Sequence, residues 1–581
     1  LSEPCRLIVV HKADPSGRYA WLPRLRPGDV TVSLDALADE DLADRQPIPF
    51  DQLQSWEQRS AAELGLTELL AAIAAHRAVA AIEYRRSGFR LIDFAELRLR
   101  SEIARLLQGW TLARAVAGAG ELVCDPATAP AFAIGVRAGL GFDPSVASYT
   151  LSPALAGSRR RRAFAREATR VLAVASRPER VRVAVVAAGK LALALASLTG
   201  ADLRAAGVGL MPFPGLDHGN GLLLALRRRL PILRTYGPAR VGAGMALHLP
   251  ERLGVEADAV LDRALTLLVG RMLAAAAGEL EQAVRALDGM EDARSLRALL
   301  LPTAAYGASR VLIDWAHRRG LRVGAMQHGI YSFREGDFSD RWADMLVGWG
   351  PGSVDQIVGW TAPRPAVRVV GVPGITGVVR AETGIEGLPA RAVNTPLRSA
   401  LIVTTGSFDT PLLPTDSCEA FIDAIVPGLR RLAAAGVEIQ LRPHPWEQPE
   451  RYRRLLGSRG LDIGIARRGP VANAVLGADI LIAAGSSVAF EAAALEVPVL
   501  LWQGQAPRWV RERHLVAPWT DDLPGMFVQA KDFTALIDRL LAQPDEGMRI
   551  ARQLSRKLAH YAQPFSAAGF AAALHELGAQ R

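Results

Sequence analysis

Asp479-Ile480-Leu481-Ile482-Ala483-Ala484-Gly485-Ser486-Ser487-Val488-Ala489-Phe490-Glu491 is the stretch that decides the fold. An unbroken apolar run, Asp479 to Ala483, ends in a Gly-Ser-Ser turn and passes into a second apolar segment. Such a run, bounded by turn residues, reads as a strand buried on both faces, the kind found in parallel sheets. The second segment reads as a helix starting near Val488. The same handover recurs upstream. Leu321 to Met326 delivers Gln327-His328-Gly329, Val437 to Leu441 delivers Arg442-Pro443-His444-Pro445, and Ala400 to Thr404 delivers Thr405-Gly406-Ser407. In open α/β sheets ligands bind outside the carboxyl ends of the strands. Polar clusters at several strand ends, in two halves of the chain, therefore describe a cleft.

At 581 residues, half of them hydrophobic and 22% charged, the chain buries real cores and divides into two or three domains. Short β-branched runs alternate with helical patterns almost throughout, the mark of parallel α/β architecture. A first region, residues 1–170, holds strands at Leu7 to Val10, Val30 to Leu34 and Glu121 to Cys124, with helices over Leu66 to Ile82 and Phe94 to Ala117. A second series, 171–375, starts at Val181, includes Ala-rich helices at 257–287 and closes on strands near 343–347 and 367–370. A Pro/Gly-rich stretch over 371–397 reads as a linker. The third region, 398–581, reads as a Rossmann-like domain of about five parallel strands followed by C-terminal helices.

The net charge of +9 rests almost wholly on arginine, with lysine only at 12, 190, 531 and 557. That balance reads as codon usage rather than as a signature. Two local clusters remain, Arg159 to Arg170 and Arg227 to Arg234, and such patches attract phosphates or anionic lipid heads. No nucleic-acid motif or interleaved aromatic residues accompany them, so nucleic acid is not an expected partner. Cys5, Cys124 and Cys418 form no CxxC pair, metal site or disulfide framework, which suits a reducing cytoplasm. The start runs directly into a strand without a signal-peptide pattern, and no apolar stretch reaches membrane-span length.

The clusters carry distinct chemistry. A helix N-terminus beneath Gly485-Ser486-Ser487 offers unpaired N–H groups and a positive dipole end to a phosphate, although either serine could simply be an N-cap. Counted from Ser487 as N-cap, Glu491 occupies the fourth helical position and completes no capping box. It is the only charge in a helix otherwise fit for burial. It needs a partner, and ribose hydroxyls are a natural one. His444, pinned between prolines beside Arg442, suits binding or protonating a leaving phosphate. His328 could take a proton from an acceptor hydroxyl, with Glu335 and Asp337 as alternative bases. Gly406 and Ser407 could touch the phosphate from the other side, or form a plain turn. Arg468 and the Asp217 to Gly221 loop are weaker candidates for base and acceptor contacts. No Walker A, HExxH or GxSxG pattern occurs.

Taken together, Gln327-His328-Gly329, Arg442-Pro443-His444-Pro445 and Gly485-Ser486-Ser487 to Glu491, with Val497-Pro498-Val499-Leu500, resemble GT-B glycosyltransferases of bacterial surface polysaccharide synthesis. Capsule Kdo transferases, polysialyltransferases and CDP-glycerol glycerophosphotransferases are the relatives in view, over roughly residues 300–505. The resemblance implies two facing Rossmann-like domains with an additional N-terminal α/β region. It implies a nucleotide donor on the C-terminal one, with His444, Ser486 and Ser487 on its phosphate and Glu491 on its ribose; Arg442, Gly406 and Ser407 join that donor-binding set from their own strand-end positions. His328, Glu335 and Asp337 fall to the catalytic side. A CMP-sugar such as CMP-Kdo is the favoured donor, with a UDP-sugar as the alternative, and no cofactor or metal is expected. The acceptor expected is a surface glycan or glycolipid, reached from the cytoplasm at the inner membrane face, with the Arg clusters as contacts. A polyol-phosphate transferase, a nucleotide-sugar 2-epimerase-like isomerase and a noncatalytic binding protein of the same fold are the rival readings.

Overall fold

The computed structural model describes residues 5–10, 19–34, 41–49, 53, 55–75, 83–84, 89–116, 119–124, 130–142, 181–186, 189–211, 229–231, 259–288, 295–304, 307–330, 343–358, 365–373, 397–405, 418–444, 447–466, 471–516 and 518–579. The chain forms two compact units. One comprises Leu1–Arg166, Val241–Leu280 and Ser407–Glu419, the other Glu167–Arg240, Glu281–Gly406 and Ala420–Arg581.

The first unit is built on a parallel sheet in the order β3-β2-β1-β6, from β1 (Arg6–Val10), β2 (Val30–Ser33), β3 (Ile48–Pro49) and β6 (Glu121–Cys124). A small antiparallel pair, β4 (Glu83–Tyr84) and β5 (Phe89–Arg90), precedes β6. Helices α1 (Trp56–Ala75), α2 (Leu91–Ala115) and α3 (Pro130–Gly139) complete it. The helix expected over 66–82 thus starts about ten residues earlier, and residues 76–82 lie outside the described residues. Helices α2 and α3 pack backbone to backbone: a Cβ on Gly135 would lie 1.9 Å from the Leu106 carbonyl oxygen. At the sheet edge Asp29 accepts hydrogen bonds from the Arg6 side chain (2.6 Å to Nη2) and from the Arg26 backbone N–H (2.8 Å). The Arg6 hydrogen bond is the largest influence, and it holds the Asp29 carboxyl down at about 2.

The second unit contains two six-stranded parallel sheets. Sheet one has the order β12-β11-β10-β9-β7-β8, from β7 (Val183–Val185), β8 (Val208–Leu210), β9 (Ala298–Leu301), β10 (Arg322–Met326), β11 (Met345–Gly348) and β12 (Ala366–Val369). Its helices are α4 (Gly189–Ala196), α5 (Gly200–Ala206), the end of α6 (Ala259–Asp288, which belongs to the first unit as far as Leu280), α7 (Gly307–Arg318) and α8 (Pro351–Val358). Helix α5 is started by Thr199 and Asp202 in a reciprocal capping box. Sheet two has the order β15-β14-β13-β16-β17-β18, from β13 (Ser399–Val403), β14 (Glu438–Arg442), β15 (Gly464–Ile465), β16 (Ile480–Ala484), β17 (Val499–Trp502) and β18 (Met526–Phe527). Its helices are α9 (Cys418–Ala434), α10 (Pro449–Ser458), α11 (Val471–Gly477), α12 (Ser487–Ala494), α13 (Arg508–His514), α14 (Ala530–Ala542) and α15 (Pro544–Leu558). The expectation of two Rossmann-like domains with an extra N-terminal α/β region holds. The continuous apolar strands are continuous because both faces are covered: every residue of β9, β11, β16 and β17 is buried.

Strand order locates the ligand edge. Each sheet reverses direction once, sheet one between β7 and β9 and sheet two between β13 and β16. A crevice opens at the carboxyl end of such a switch point because the flanking connections leave on opposite faces.

The last helix, α16 (Ala567–Gly578), corrects the expected domain plan. It does not finish the C-terminal sheet. Phe570, Ala573, Leu574 and Leu577 are buried in the core of sheet one with Val183, Val185 and Met326. Each large side chain so buried contributes about 1.5–3 kcal/mol. The chain reaches this position through His560 to Ser566, which is stitched along the ends of β11 and β12. Gln563 donates to the Trp349 carbonyl (2.9 Å), Val372 to Gln563 (2.8 Å) and Ser566 to Val370 (2.7 Å). Gly371 makes this possible. Its φ is +81°, and a Cβ there would sit 2.1 Å from the Pro564 carbonyl oxygen. Of the linker expected over 371–397, residues 374–396 lie outside the described residues.

Candidate functional site at two strand switch points

The turn after β16 sits at the switch point of sheet two. Gly485 takes φ +55°, and Ser486, not Ser487, is the N-cap of α12, its Oγ accepting from Val488 N–H at 3.4 Å. Helix α12 therefore begins at Ser487, one residue earlier than the sequence suggests. Glu491 is its fifth residue rather than the fourth, and it is 2% exposed. Around it Ala489, Phe490, Ala492 and Ala493 are packed with strand residues of β13, β16 and β17.

Glu491 has found a protein partner that sequence reasoning missed. Oε1 accepts from the ammonium of Lys190, which stands at the start of α4, after β7, at the switch point of sheet one. Glu491 Oε2 is buried and, among the described residues, has no hydrogen-bond partner. The Lys190 ammonium lies 5.5 Å from the ring centroid of Trp349, which follows β11, and its side chain keeps one-fifth of its surface exposed. This ion pair thus ties the carboxyl-end switch point of one sheet to that of the other. The signal was present in the sequence: Lys190 is one of four lysines among 68 basic residues, and it follows the glycine that ends the strand-like Val181 to Ala188 run.

Apolar packing joins the sheets at the same edge. Trp349 is fully buried in a cluster with Phe490, Trp519 and Leu481, against which Ile330 and Tyr561 also pack. Phe490 meets the Trp519 and Tyr561 rings edge-on, at 5.7 and 6.0 Å between centroids. Ile330 lies two residues beyond His328. His328 itself is exposed at the end of β10, between a buried Gln327 and Gly329. Gln327 holds that end in place: Oε1 accepts from Trp349 N–H (2.8 Å) and Nε2 donates to the Gly329 carbonyl (3.0 Å). Its role is to clamp β10 to β11, and His328 rides on the clamped turn.

The end of β14 is equally fixed. The His444 backbone N–H is shared between Thr404 Oγ1 (2.9 Å) and Glu447 Oε2 (2.8 Å), and the Thr404 hydroxyl donates to the same carboxylate oxygen. Thr404 follows β13, so this network fastens the His444 turn to the switch-point strand. Thr404 and Glu447, both buried, were not singled out in the sequence. Burial lowers the His444 imidazole below its ordinary value, and it lowers the half-buried Arg442 guanidinium in the same sense. A ring held neutral near pH 7 donates through one nitrogen and accepts through the other. It fits hydrogen bonding to a phosphate oxygen better than the expected protonation of a leaving phosphate.

Of the sequence-derived candidates, Arg442, His444, Ser486, Ser487 and Glu491 stand at the carboxyl ends of β14 and β16, and His328 at that of β10. Glu335, Asp337, Gly406, Ser407, Arg468 and the Asp217 to Gly221 loop lie outside the described residues. Among the described residues no group of three or more His, Cys, Asp or Glu side chains could hold a metal ion.

The segment carrying these features has known relatives. Residues 426–563 match the CDP-glycerol:poly(glycerophosphate) glycerophosphotransferase family. The match spans His444, Ser486 and Glu491, and it agrees with the expected resemblance to GT-B transferases of surface glycopolymer synthesis. No curated protein sequence matches the chain. Among solved structures, the UDP-GlcNAc 2-epimerase from Neisseria meningitidis bound to UDP-GlcNAc is 11% identical, with 68% of this chain and 100% of that chain covered and a TM-score of 0.43. Acinetobacter baumannii MurG is 15% identical, at 68% and 99% coverage and a TM-score of 0.37. The wall teichoic acid polymerase TagF is 13% identical, at 52% and 75% coverage and a TM-score of 0.33. At TM-scores below 0.5 these likenesses carry no weight for function.

Proposed function

We propose that this chain is a GT-B-type transferase that moves a group from a nucleotide-activated donor to a surface glycopolymer or its lipid-linked precursor. The observation that carries the reading is the pairing of the two switch points: Lys190 from one sheet meets a buried carboxylate, with an unpartnered oxygen, from the other. In the proposed complex the donor phosphate lies over the α12 N-terminus, where Ser486, Ser487 and the helix dipole meet developing negative charge. Arg442 and the neutral His444 hydrogen-bond its oxygens. Glu491 takes the ribose hydroxyls. The acceptor hydroxyl attacks the donor's electrophilic centre, its proton passes to His328, and the bond to the nucleotide phosphate oxygen breaks with the electron pair leaving on that oxygen.

The transferred group is either a sugar, with CMP-Kdo as the acidic-sugar case, or a polyol phosphate. The family match over 426–563 favours the second, with a CDP-activated donor. A cytidine base is common to both, and a UDP-sugar is the competing donor. No helix among the described residues is long and apolar enough to cross a membrane. Lipid-linked acceptors are then met at a membrane surface, where the arginines at 159–170 and 227–234 supply the contact.

A thermal-shift panel of CMP, CDP, UDP and GDP tests the donor assignment, since a ligand that binds only the folded state raises the melting temperature. The largest rise is expected from a cytidine nucleotide, and no rise with any of the four contradicts the proposal. His444→Ala and His328→Ala separate a transferase from a binding protein: turnover of CDP-glycerol or CMP-Kdo should collapse in both.

A further inference from the structure

We infer that Lys190 and Glu491 are each other's stand-in ligands at the proposed donor site, and that donor binding exchanges their partners. This inference rests on the donor-site reading above and adds a residue to it. A buried carboxylate in an apolar helix needs a cation or hydrogen-bond donors, and Lys190 satisfies one of its two oxygens. The ammonium, in turn, sits at the switch point of sheet one beside the α12 segment of sheet two. That puts a cation from sheet one on the helix whose N-terminus is proposed to hold the donor phosphate.

When a nucleotide enters, its ribose hydroxyls donate to Glu491, and the ammonium is released to the phosphate. Lys190 keeps one-fifth of its side-chain surface exposed, so its ammonium, which lies 5.5 Å from the Trp349 ring centroid, can turn toward a ligand. No covalent change is involved. The exchange gives the site a means of recognising the two ends of the nucleotide together. Ribose alone must displace the lysine from Glu491 without offering it a new partner, whereas a nucleoside diphosphate supplies both.

The consequence separates Lys190 from a merely structural residue. Removing its charge weakens a ligand that carries phosphate and does not weaken one that lacks it. Isothermal titration of the full chain with CDP and with cytidine, for wild type, Lys190→Gln and Lys190→Arg, reads this directly. For Lys190→Gln the affinity for CDP should fall about ten-fold or more, the loss of one charged hydrogen bond. Cytidine should bind as well as to wild type or better, since Glu491 no longer has to be released. Lys190→Arg should retain most of the CDP affinity. Equal weakening of both ligands, or unchanged CDP affinity in a folded Lys190→Gln protein, overturns the inference. Failure of the wild type to bind CDP or UDP overturns the donor-site reading itself, and the two failures are distinct. If Lys190→Gln does not fold, the comparison moves to Lys190→Gln/Glu491→Gln against Glu491→Gln, which leaves no buried charge unpaired. The same selective loss of CDP over cytidine is expected there, and its absence overturns the inference.

Discussion

Separating Lys190 from Glu491 should cost far more from one side than from the other. Glu491 is 2% exposed in a helix of alanine, valine and phenylalanine, so Lys190→Met leaves a carboxylate without its cation in an apolar setting. Breaking a buried pair in this way costs about 3–5 kcal/mol. The low end, about 3 kcal/mol, applies because the partly exposed lysine already lies near water. Glu491→Gln leaves an ammonium that can reach solvent and still faces the Trp349 ring, and it should cost about 1 kcal/mol. The double variant has no unpaired charge and should cost about 1.5 kcal/mol, a coupling of about 2.5 kcal/mol. The chain holds two compact units, so global unfolding is a poor readout. Hydrogen exchange in peptides covering residues 480–495, measured in increasing urea, reports the local transition. Costs that add to within about 0.5 kcal/mol would falsify the claim that these two charges hold each other across the sheets.

Three further outcomes are expected. Burial disfavours the His444 imidazolium, so the ring's value lies below its ordinary 6.5 and the neutral form persists into mildly acid solution. The His444 ring, followed by its own imidazole NMR resonances in the full chain, should titrate with a midpoint below 6.5; a midpoint at or above 6.5 contradicts the assigned role. Asp29 titrates at about 2 in the folded state against 3.8 ordinarily, so its contribution to the N-terminal unit is complete above pH 3.8 and drains away as pH falls toward 2. Asp29→Asn should therefore destabilise the unit at pH 7 and flatten its acid-unfolding curve between those values, as followed by circular dichroism. Gly371→Ala places a methyl against the Pro564 carbonyl at positive φ and should cost about 2–4 kcal/mol, with the loss appearing as faster exchange in α16 rather than in α12. Unchanged exchange in α16 would mean the crossover does not depend on that contact.

Much of this arrangement is legible in the sequence, and the physical reason is local. Strands β10, β14 and β16 announce themselves because a parallel strand buried on both faces must be continuously apolar, and the residue type then changes abruptly at its carboxyl end. The Gly-Ser-Ser turn is legible for the same reason. Strands β3 and β18 have two residues each in the structure, too few for any periodicity to declare them, and sheet order cannot be read from runs alone. Helix α16 reads as part of the last domain because sequence adjacency says nothing about which core an amphipathic helix will cover. The partner of Glu491 is the instructive miss. The need for a partner follows from one residue in one apolar helix, whereas Lys190 lies 301 positions away and meets it only once two sheets are folded. Thr404 and Glu447 escaped notice for a related reason: their value is to hold the His444 backbone, and nothing in a side chain's identity reveals that it will serve a neighbouring turn.

The most direct test is a crystal structure of the chain with CDP. The diphosphate should lie over the start of α12 within hydrogen-bonding distance of Ser486 or Ser487, with the Lys190 ammonium turned onto it and the ribose hydroxyls on Glu491. A nucleotide seated elsewhere, with Lys190 still on Glu491 and the α12 N-terminus unoccupied, would contradict the donor site at its foundation.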